Sequence, residues 1–347
     1  MYSQRSLKML GNKNLIINKE NIQPLANLKK TKKDTQRVFG KEIQNVSSRS
    51  YLNTSSNCAH FLGAYPEKMQ LEDVEEQNNA KSNTPYNPQL VTEFHDEIIK
   101  HIKAQESHYR IDAAYMSRQR DINGKMRAIL IDWLVDVNLK FKLLPQTLFI
   151  TVNIVDRYLS VRNVSRQQLQ LLGVTALMLV SKYEEIYPPL AKDYVAVCDN
   201  AYTKEELLEM ESKILQAVSF NLTQTSTFTF LEHLQVRVKL EERALVFARY
   251  ILESSILDLG SLQYSNHELA AGAIFLVNKI FRKEGWRVGF EAKVGVTEHL
   301  AKACAKDLFA IMQKTDQSNL TAVKRKFATA EFFEVSKYRI EKIQSSH

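Results

Sequence analysis

Hydrophobic and polar positions divide the chain into two parts near residue 90. Beyond it, apolar residues recur every three or four positions, the period of amphipathic helices, and no proline follows Pro189. Before it, the sequence is rich in Asn, Ser, Gln and Lys and has no apolar period. Such a segment buries too little surface to offset its ordering entropy. We predict an all-helical body after a disordered tail, residues 1–88.

A short repeat suggests how the helical body is organised. The pattern AxxLVxK occurs at Ala176–Lys182 and again at Ala273–Lys279. Two tandem helical domains would explain this repeat, and we place them at residues 89–222 and 223–347.

The segment Met126–Phe141, taken as a helix, has two apolar faces. With 100° between successive residues, one stripe contains Met126, Leu130, Trp133 and Val137, and other apolar residues gather on the opposite side. Two interpretations remain open from this pattern. Either the helix is buried on both sides, or the Met126/Leu130/Trp133 stripe is an exposed docking groove with the Asp136 carboxylate at its rim.

Two further predicted helices contain charged residues next to apolar ones. The first, Leu169–Lys182, is apolar nearly all round, and we expect it to end near Tyr187, before two prolines. The second begins at Thr203, and its buried stripe is expected to contain Leu207, Leu208, Ile214, Leu215 and Val218. Glu211 lies within that stripe without a local cation. Its carboxylate either reaches water at the stripe's edge or faces a cation or amide from another element or another protein.

Charge is concentrated at the N-terminus. The 347 residues include 47 Lys+Arg and 39 Asp+Glu, a net charge of +8. The first 50 residues hold eleven basic and three acidic residues, so everything after them is neutral in sum. We therefore predict a basic tail on a neutral body, without a nucleic-acid-binding face.

The remaining motifs give no sign of catalysis. Cys58, Cys198 and Cys304 lie far apart, which argues against a zinc site and a disulfide framework. The phosphate-binding patterns GxGxxG and GxxxxGK[ST] and the catalytic patterns HExxH and GxSxG do not occur. No apolar run is long enough to span a membrane, and no secretory signal is evident. We expect a non-enzymatic protein that stays inside the cell, without a cofactor, a metal or a membrane partner.

Several motifs in collinear order resemble the cyclin box of mitotic A/B-type cyclins. The resemblance extends over about residues 92–340, including a weaker second box. KFKLLPQTLF (140–149) and Tyr183 are more similar to the B type than to the A type. The motifs are FHDEI (94–98), YMSRQRDI (115–122), MRAILIDWLVDV (126–137), TVNIVDRYLS (151–160), SKYEEIYPP (181–189) and AYTKEELLEMESKIL (201–215).

This resemblance implies two tandem five-helix cyclin boxes preceded by a helix around residues 91–104. It implies a regulatory subunit that activates a cyclin-dependent kinase by holding the kinase C-helix and activation segment in their productive arrangement. The matching kinase-binding residues are Phe94, Ile98, Lys182, Tyr183, Glu211, Leu215 and Phe220.

The resemblance also assigns roles to the Met126–Phe141 helix. Arg127 and Asp156 match a structural salt bridge. The stripe matches a patch that recruits substrates or inhibitors carrying Arg-x-Leu peptides, which favours the docking interpretation. Its members are Met126, Leu130, Trp133, Asp136 and Gln170. Of the basic residues that bind phosphate in some B-type cyclins, only Arg249 is retained, with Glu232 and Leu245 at two other places.

The tail contains regulatory candidates. Lys19-Glu20-Asn21 forms a KEN degron for the anaphase-promoting ubiquitin ligase, and RVFGKEIQN (37–45) resembles a destruction box with Gly40 in place of leucine. KKTKK (29–33) is either a nuclear-import signal or a solvated basic run. We expect the protein in nucleus and cytoplasm. Competing functions are a cyclin-fold transcription initiation factor that binds DNA, an A-type cyclin, and a scaffold that binds no kinase.

Overall fold

The computed structural model describes residues 94–338, apart from residue 224 and the segments 282–285 and 287–288. Within these residues the chain is all-helical and has no strand, which confirms the predicted fold class. In this part of the chain, no helix is both long and apolar enough to cross a bilayer. The α-helices are α1 (His95–Glu106), α2 (Gly124–Lys140), α3 (Pro145–Val161), α4 (Leu169–Glu184), α5 (Ala191–Val197), α6 (Lys204–Ala217), α7 (Thr227–Val238), α8 (Glu242–Ser255), α9 (Asn266–Ile280), α10 (Phe290–Val294), α11 (Glu298–Asp316) and α12 (Ala322–Lys326).

In the first helical group, α2–α6, three helices begin at residues that are favoured at helix N-termini. The Asn123 side chain caps α2 by accepting a hydrogen bond from Met126 N at 3.1 Å. Pro145 opens α3, where its missing N–H costs nothing. Thr203 and Glu206 form the capping box predicted for α6, with N···O distances of 2.8 and 3.1 Å. These caps fix the start of each helix and thereby the direction in which its faces point.

Helix α4 is the central helix of the first helical group. Every residue from Leu169 to Ser181 is buried, as its all-round apolar sequence predicts. Gly173 allows α2 to approach closely, because a Cβ atom there would lie 2.7 Å from the Leu130 side chain.

The end of α4 differs from our expectation. The helix ends at Glu184, three residues before Tyr187, because the backbone becomes extended at Glu185. The Glu185 carboxylate accepts hydrogen bonds from Leu144 N at 2.8 Å and Thr147 Oγ1 at 2.5 Å. These bonds attach the residues after α4 to the start of α3.

The second helical group, α7–α12, contains five helices and the additional short helix α10. The repeated segments Ala176–Lys182 and Ala273–Lys279 lie in the C-terminal halves of α4 and α9, the mainly buried helices of their groups. Gly272 permits close packing of α9 on α11, since a Cβ atom there would lie 2.6 Å from Cys304 Sγ. The predicted boundary at residues 222 and 223 lies between α6 and α7.

Helix α1 precedes the first helical group and is attached to the second. Lys103 Nζ donates a hydrogen bond to Gly295 O at 2.9 Å, and Glu106 Oε1 accepts one from His267 N at 3.2 Å. We predicted this helix at residues 91–104; it begins at His95 and ends at Glu106, and residues 91–93 lie outside the described residues.

Candidate functional site

A lysine and a glutamate from two different helices form an ion pair at one end of the first helical group. Lys182 lies in the last turn of α4 and Glu211 in the middle of α6, and Lys182 Nζ contacts Glu211 Oε1. The Glu211 side chain is 12% exposed and that of Lys182 is 45% exposed. The cation that Glu211 requires is therefore supplied by another element of the same chain.

This ion pair contributes little to folding, because solvent screens a half-exposed lysine. Exposed pairs are worth about 0–1 kcal/mol. Lys182 also suits the C-terminus of α4, whose last carbonyl groups carry partial negative charge. An ammonium group has three donors, so one that faces Glu211 retains capacity for a partner's carbonyl group.

Large exposed apolar side chains surround the Lys182–Glu211 pair in sequence. Phe220, 68% exposed, follows α6, and Tyr183 follows Lys182 directly. Because α4 and α6 pack against each other, we treat these residues as one α4–α6 surface. Single exposed apolar residues are ordinary, but a group of this size marks an interaction site. The α4–α6 surface comprises Lys182, Tyr183, Ile186, Tyr187, Leu208, Glu211 and Phe220.

The stripe predicted on α6 is partly wrong. Leu207, Ile214 and Val218 are buried, but Leu208 is 44% exposed and Leu215 is only partly buried. The reason is the position of α4, which packs on the side of α6 that carries the buried residues. Leu208 consequently joins the α4–α6 surface.

The remaining predicted kinase-binding residues lie on α1. Phe94 is exposed at the start of α1, and Ile98 is partly buried one turn later. Their helix is linked to the end of α6, because Asn221 Nδ2 donates a hydrogen bond of 2.6 Å to the hydroxyl of Tyr109 just after α1. The structure thus ties α1 to the element that carries Phe220.

Arg127 and Asp156 form a buried ion pair that joins several elements. Arg127 Nε and Nη2 donate hydrogen bonds of 2.6 Å to the two Asp156 oxygens, and Arg127 Nη1 donates one of 2.9 Å to Ile256 O of the second helical group. The Tyr115 hydroxyl donates to Asp156 Oδ1 at 2.6 Å. Burial and the Asp156 carboxylate raise the pKa of Tyr115, so this donor stays protonated. Deleting one partner of such a pair costs about 3–5 kcal/mol, so these residues hold the two groups together.

We call the predicted patch residues Met126, Leu130, Trp133, Asp136 and Gln170 the docking stripe. This stripe is not the exposed groove that we expected. Met126, Leu130 and Trp133 are 7%, 0% and 5% exposed, and Gln170 is also buried. The physical reason is that α2 packs against α3, α4 and the distant helix α12. The interpretation of a helix buried on both sides therefore describes most of its apolar side chains correctly, although Leu139 near its end is 41% exposed.

Two polar atoms of the docking stripe are buried without a hydrogen-bond partner among the described residues. They are the donor Trp133 Nε1 and the acceptor Gln170 Oε1. Buried polar atoms are nearly always paired in native proteins, so each such atom calls for an explanation. One atom is a donor and the other an acceptor, and they lie on the neighbouring helices α2 and α4.

The carboxylate at the rim of the docking stripe is already engaged. Arg325 Nη2 of α12 donates hydrogen bonds to Asp136 Oδ1 at 2.8 Å and Oδ2 at 2.6 Å. Ala322 N, at the start of α12, donates to Asp132 Oδ1 at 2.9 Å. The C-terminal helix of the chain thus lies over the acidic edge of α2.

Comparison with known proteins assigns the family. The cyclin N-terminal domain matches residues 97–223, and the cyclin C-terminal domain matches residues 225–341. The chain belongs to the cyclin family. The G2/mitotic-specific cyclin-B of Spisula solidissima is 38% identical over 266 residues, which are 75% of this chain and 60% of that protein. Cyclin-A1-1 of Arabidopsis thaliana is 36% identical over 279 residues, which are 78% of this chain and 59% of that protein.

The two relatives and one solved structure show how much of their length and fold this cyclin shares. The cyclin spans about three fifths of the length of these two relatives, which belong to both mitotic types. The structure of a viral cyclin from herpesvirus saimiri has a TM-score of 0.57 at 18% identity, covering 62% of this chain and 96% of that one. That likeness shows the cyclin fold, and the B-type assignment remains a prediction.

The two helical groups of this cyclin differ in chemistry at equivalent positions. Lys182 of the first group meets Glu211, whereas its counterpart in the repeat, Lys279, lies 5.8 Å from the ring centroid of Phe275. The repeated sequence pattern therefore reproduces a helix without reproducing the ion pair.

Several predicted features of the cyclin lie outside the described residues. They include the disordered tail, the KEN degron Lys19-Glu20-Asn21, the weak destruction box and the basic cluster at 29–33. In the part that the structure describes, no group of three His, Cys, Asp or Glu residues has the arrangement of a metal site.

Sequence reasoning missed some residues of the cyclin's two surfaces. The exposure of Ile186 and Tyr187 could have been predicted from the sequence, because these residues lie between the end of α4 and two prolines. The contact of Arg325 with Asp136 joins residues 189 positions apart. No local sequence pattern signals such a contact.

Proposed function

We propose that this cyclin is a non-catalytic regulatory subunit that binds and activates a cyclin-dependent kinase in mitosis. The observation that carries this proposal is the α4–α6 surface, in which the Lys182–Glu211 pair stands among exposed apolar side chains. Apolar area supplies affinity when it is buried against a partner, and the ion pair offers a donor and an acceptor for backbone groups of that partner. Both the apolar area and the ion pair are accessible to a partner without unfolding any helix.

Activation follows from binding energy alone. A cyclin that binds the active conformer of the kinase more tightly than the inactive one shifts the population by that difference in affinity. The rigid attachment of α1 and α6 through Tyr109 and Asn221 supports this role, because a rigid surface distinguishes between two conformers better than a soft one.

The decisive experiment removes the ion pair. The double variant Lys182→Ala/Glu211→Ala is expected to lower kinase affinity by about thirtyfold or more, as for a binding hot spot. Affinity is measured by calorimetry, and activity by phosphorylation of a histone substrate at saturating cyclin. Retained affinity in this variant would contradict the assigned interface.

The same helix offers a matched control. Glu209 and Lys213 form a second ion pair on α6, one turn apart and with both side chains at least half exposed. The variant Glu209→Ala/Lys213→Ala removes the same two residue types from the opposite flank. It is expected to leave kinase affinity unchanged, so a general effect of removing charge from α6 is separated from loss of the interface.

We also propose that the docking stripe recruits Arg-x-Leu peptides of substrates or inhibitors. Trp133 Nε1 and Gln170 Oε1, which have no hydrogen-bond partner among the described residues, support this role, since a peptide backbone would satisfy them once the side chains that cover them move aside. Because Leu130 is fully buried, a peptide would contact only the outermost atoms of Met126 and Trp133, and Asp136 must exchange Arg325 for the peptide's arginine. Titration with an Arg-x-Leu peptide tests this role.

Regulation through the tail is a further part of the proposal. The KEN sequence would bring the anaphase-promoting ubiquitin ligase to the cyclin, and the basic cluster at 29–33 would favour nuclear entry. Alanine at Lys19, Glu20 and Asn21 is expected to lengthen the half-life of the protein as cells leave mitosis. An unchanged half-life in synchronised cells would remove the degron from the proposal.

A further inference from the structure

The chain turns sharply after α6, and two consecutive residues there have a left-handed backbone. The angle φ is 53° at Ser219 and 56° at Phe220. Residues with a Cβ atom adopt this conformation uncommonly, and bulky ones are outliers. We call residues 218–221 the Phe220 turn. Since the Phe220 ring is largely exposed, side-chain packing of the ring does not hold the turn, which is closed by backbone hydrogen bonds typical of a helix C-terminus.

The guanidinium group of Arg157 spans the Phe220 turn. Arg157 Nη2 donates a hydrogen bond to Val218 O at 3.2 Å, and Nη1 donates one to Asn221 O at 2.9 Å. These carbonyl groups are the first and last of the turn. One rigid, charged group therefore fixes both ends of the turn from α3.

Two tyrosines attach the same region to the other elements of the proposed interface. Tyr109, which follows α1, accepts a hydrogen bond from Asn221 Nδ2 at 2.6 Å and lies under Arg157, whose Cζ is 5.6 Å from the ring centroid. The hydroxyl of Tyr183, next to Lys182 on α4, is hydrogen-bonded to Thr223 Oγ1 at 2.7 Å. The Phe220 turn thus connects α1, α3 and α6, and Thr223, two residues after the turn, adds a link to α4.

The described residues contain two other consecutive pairs with a left-handed backbone, Asp199–Asn200 and Phe333–Glu334. After α5, Asp199 and Asn200 have φ values of 53° and 55°. Asp and Asn tolerate this conformation because their short polar side chains bond locally to the backbone. Phenylalanine has no such means. Phe333 also adopts this conformation, with φ of 52°, but it is 40% exposed against 68% for Phe220, so the more exposed of the two rings is the one on the proposed interface.

We infer that Arg157 is a positioning residue for kinase recognition: it holds the Phe220 turn in the left-handed conformation that presents the Phe220 ring to the kinase. The inference rests on the proposed function. It goes further by assigning to a residue outside the α4–α6 surface the geometry of one of its contacts.

The first test removes the guanidinium group and keeps the apolar stem. Arg157→Met is expected to lower kinase affinity by about tenfold, the usual effect of losing a hydrogen bond to a charged group. The matched control is Arg166→Met, which removes another partly buried arginine of the first helical group, bonded to Asp121 at 2.7 Å. This control is expected to bind the kinase like the original protein.

Two further variants separate positioning from general stability. In a Phe220→Ala background, Arg157→Met is expected to cause no additional loss, because the ring that it positions is absent. Ser219→Gly in the Arg157→Met background is expected to restore part of the affinity, since glycine adopts positive φ without cost. A general structural role of Arg157 would give additive losses and no rescue.

A measurement on the free cyclin tests the inference without a kinase. Phe220 N donates to Leu215 O at 2.8 Å and Asn221 N donates to Val218 O at 3.1 Å. Arg157→Met is expected to accelerate amide hydrogen exchange at both positions, and Arg166→Met is not. Unchanged exchange, or losses that add to those of Phe220→Ala, would overturn the inference while leaving the proposed function intact. If the unmodified cyclin bound no kinase, both would fall.

Discussion

The α4–α6 surface and the docking stripe differ in which groups lack a partner: apolar side chains on the first and polar atoms in the second. On the α4–α6 surface the charged groups Lys182 and Glu211 are paired with each other, while aromatic and aliphatic side chains are exposed. In the docking stripe the apolar side chains are buried, while Trp133 Nε1 and Gln170 Oε1 are unpartnered among the described residues. One surface exposes apolar area to a partner, and the other holds hydrogen-bonding atoms beneath its surface.

This difference has consequences for the kind of partner that each surface suits. Exposed apolar area favours a large, permanent partner whose surface becomes buried together with it. Buried polar atoms with matched donor and acceptor favour a short extended segment that binds and dissociates. The difference also predicts that substitutions in the docking stripe change stability first, whereas substitutions on the α4–α6 surface change binding first.

A pair of leucines tests this contrast with identical chemistry and gives the largest expected effect. Leu130→Ala in the docking stripe is expected to lower the free energy of unfolding by about 2–5 kcal/mol, because the side chain is fully buried against Gly173. Leu208→Ala on the α4–α6 surface is expected to change it by no more than about 0.5 kcal/mol. Denaturant unfolding of the two variants measures both values.

Kinase affinity completes the test of the two leucines. Leu208→Ala is expected to weaken kinase binding although it leaves the fold intact, because its exposed side chain lies on the proposed interface. Equal stabilities for the two variants would break the comparison between the surfaces. Unchanged kinase affinity of Leu208→Ala would restrict the interface to the other side of α6.

Much of the fold was predictable because it depends on local patterns. The apolar period located the helices, and the Thr203–Glu206 spacing located the start of α6. The place of Glu211 within an apolar stripe left two outcomes, a carboxylate that reaches water or one that faces a cation or amide from elsewhere. Each of these inferences uses residues within a few turns of one helix. The resemblance to cyclins assigned both Lys182 and Glu211 to the kinase interface, and the structure shows that the two side chains pair with each other.

Predictions failed where distant parts of the chain determine burial. The two apolar faces of α2 left open whether the Met126/Leu130/Trp133 stripe is covered, and the answer depends on a helix distant in sequence, α4, whose Gly173 lies against Leu130. The burial of Leu208 was predicted wrongly because periodicity gives the width of an apolar stripe but not which edge a neighbouring helix covers. Tertiary packing decides both questions.

A substitution of Arg325 tests the comparison of the two surfaces through the smallest expected effect. Because a peptide's arginine and Arg325 would compete for the Asp136 carboxylate, Arg325→Ala is expected to tighten binding of an Arg-x-Leu peptide. The Arg325–Asp136 pair is partly exposed, so its loss is worth only about 0.2–1 kcal/mol, which corresponds to a gain in affinity of about fivefold at most. Fluorescence anisotropy of a labelled peptide measures this change.

The neighbouring Lys324 supplies the control for Arg325, since it pairs with Asp316 at similar exposure and does not contact α2 through that pair. Lys324→Ala removes one positive charge from the same helix, so any long-range electrostatic gain for a basic peptide would appear in both variants. Tighter binding in Arg325→Ala alone would show that the docking stripe is limited by its own C-terminal helix. Equal affinities would mean that Asp136 does not take the peptide's arginine, and the unpartnered atoms of Trp133 and Gln170 would then carry the docking without a charged contact.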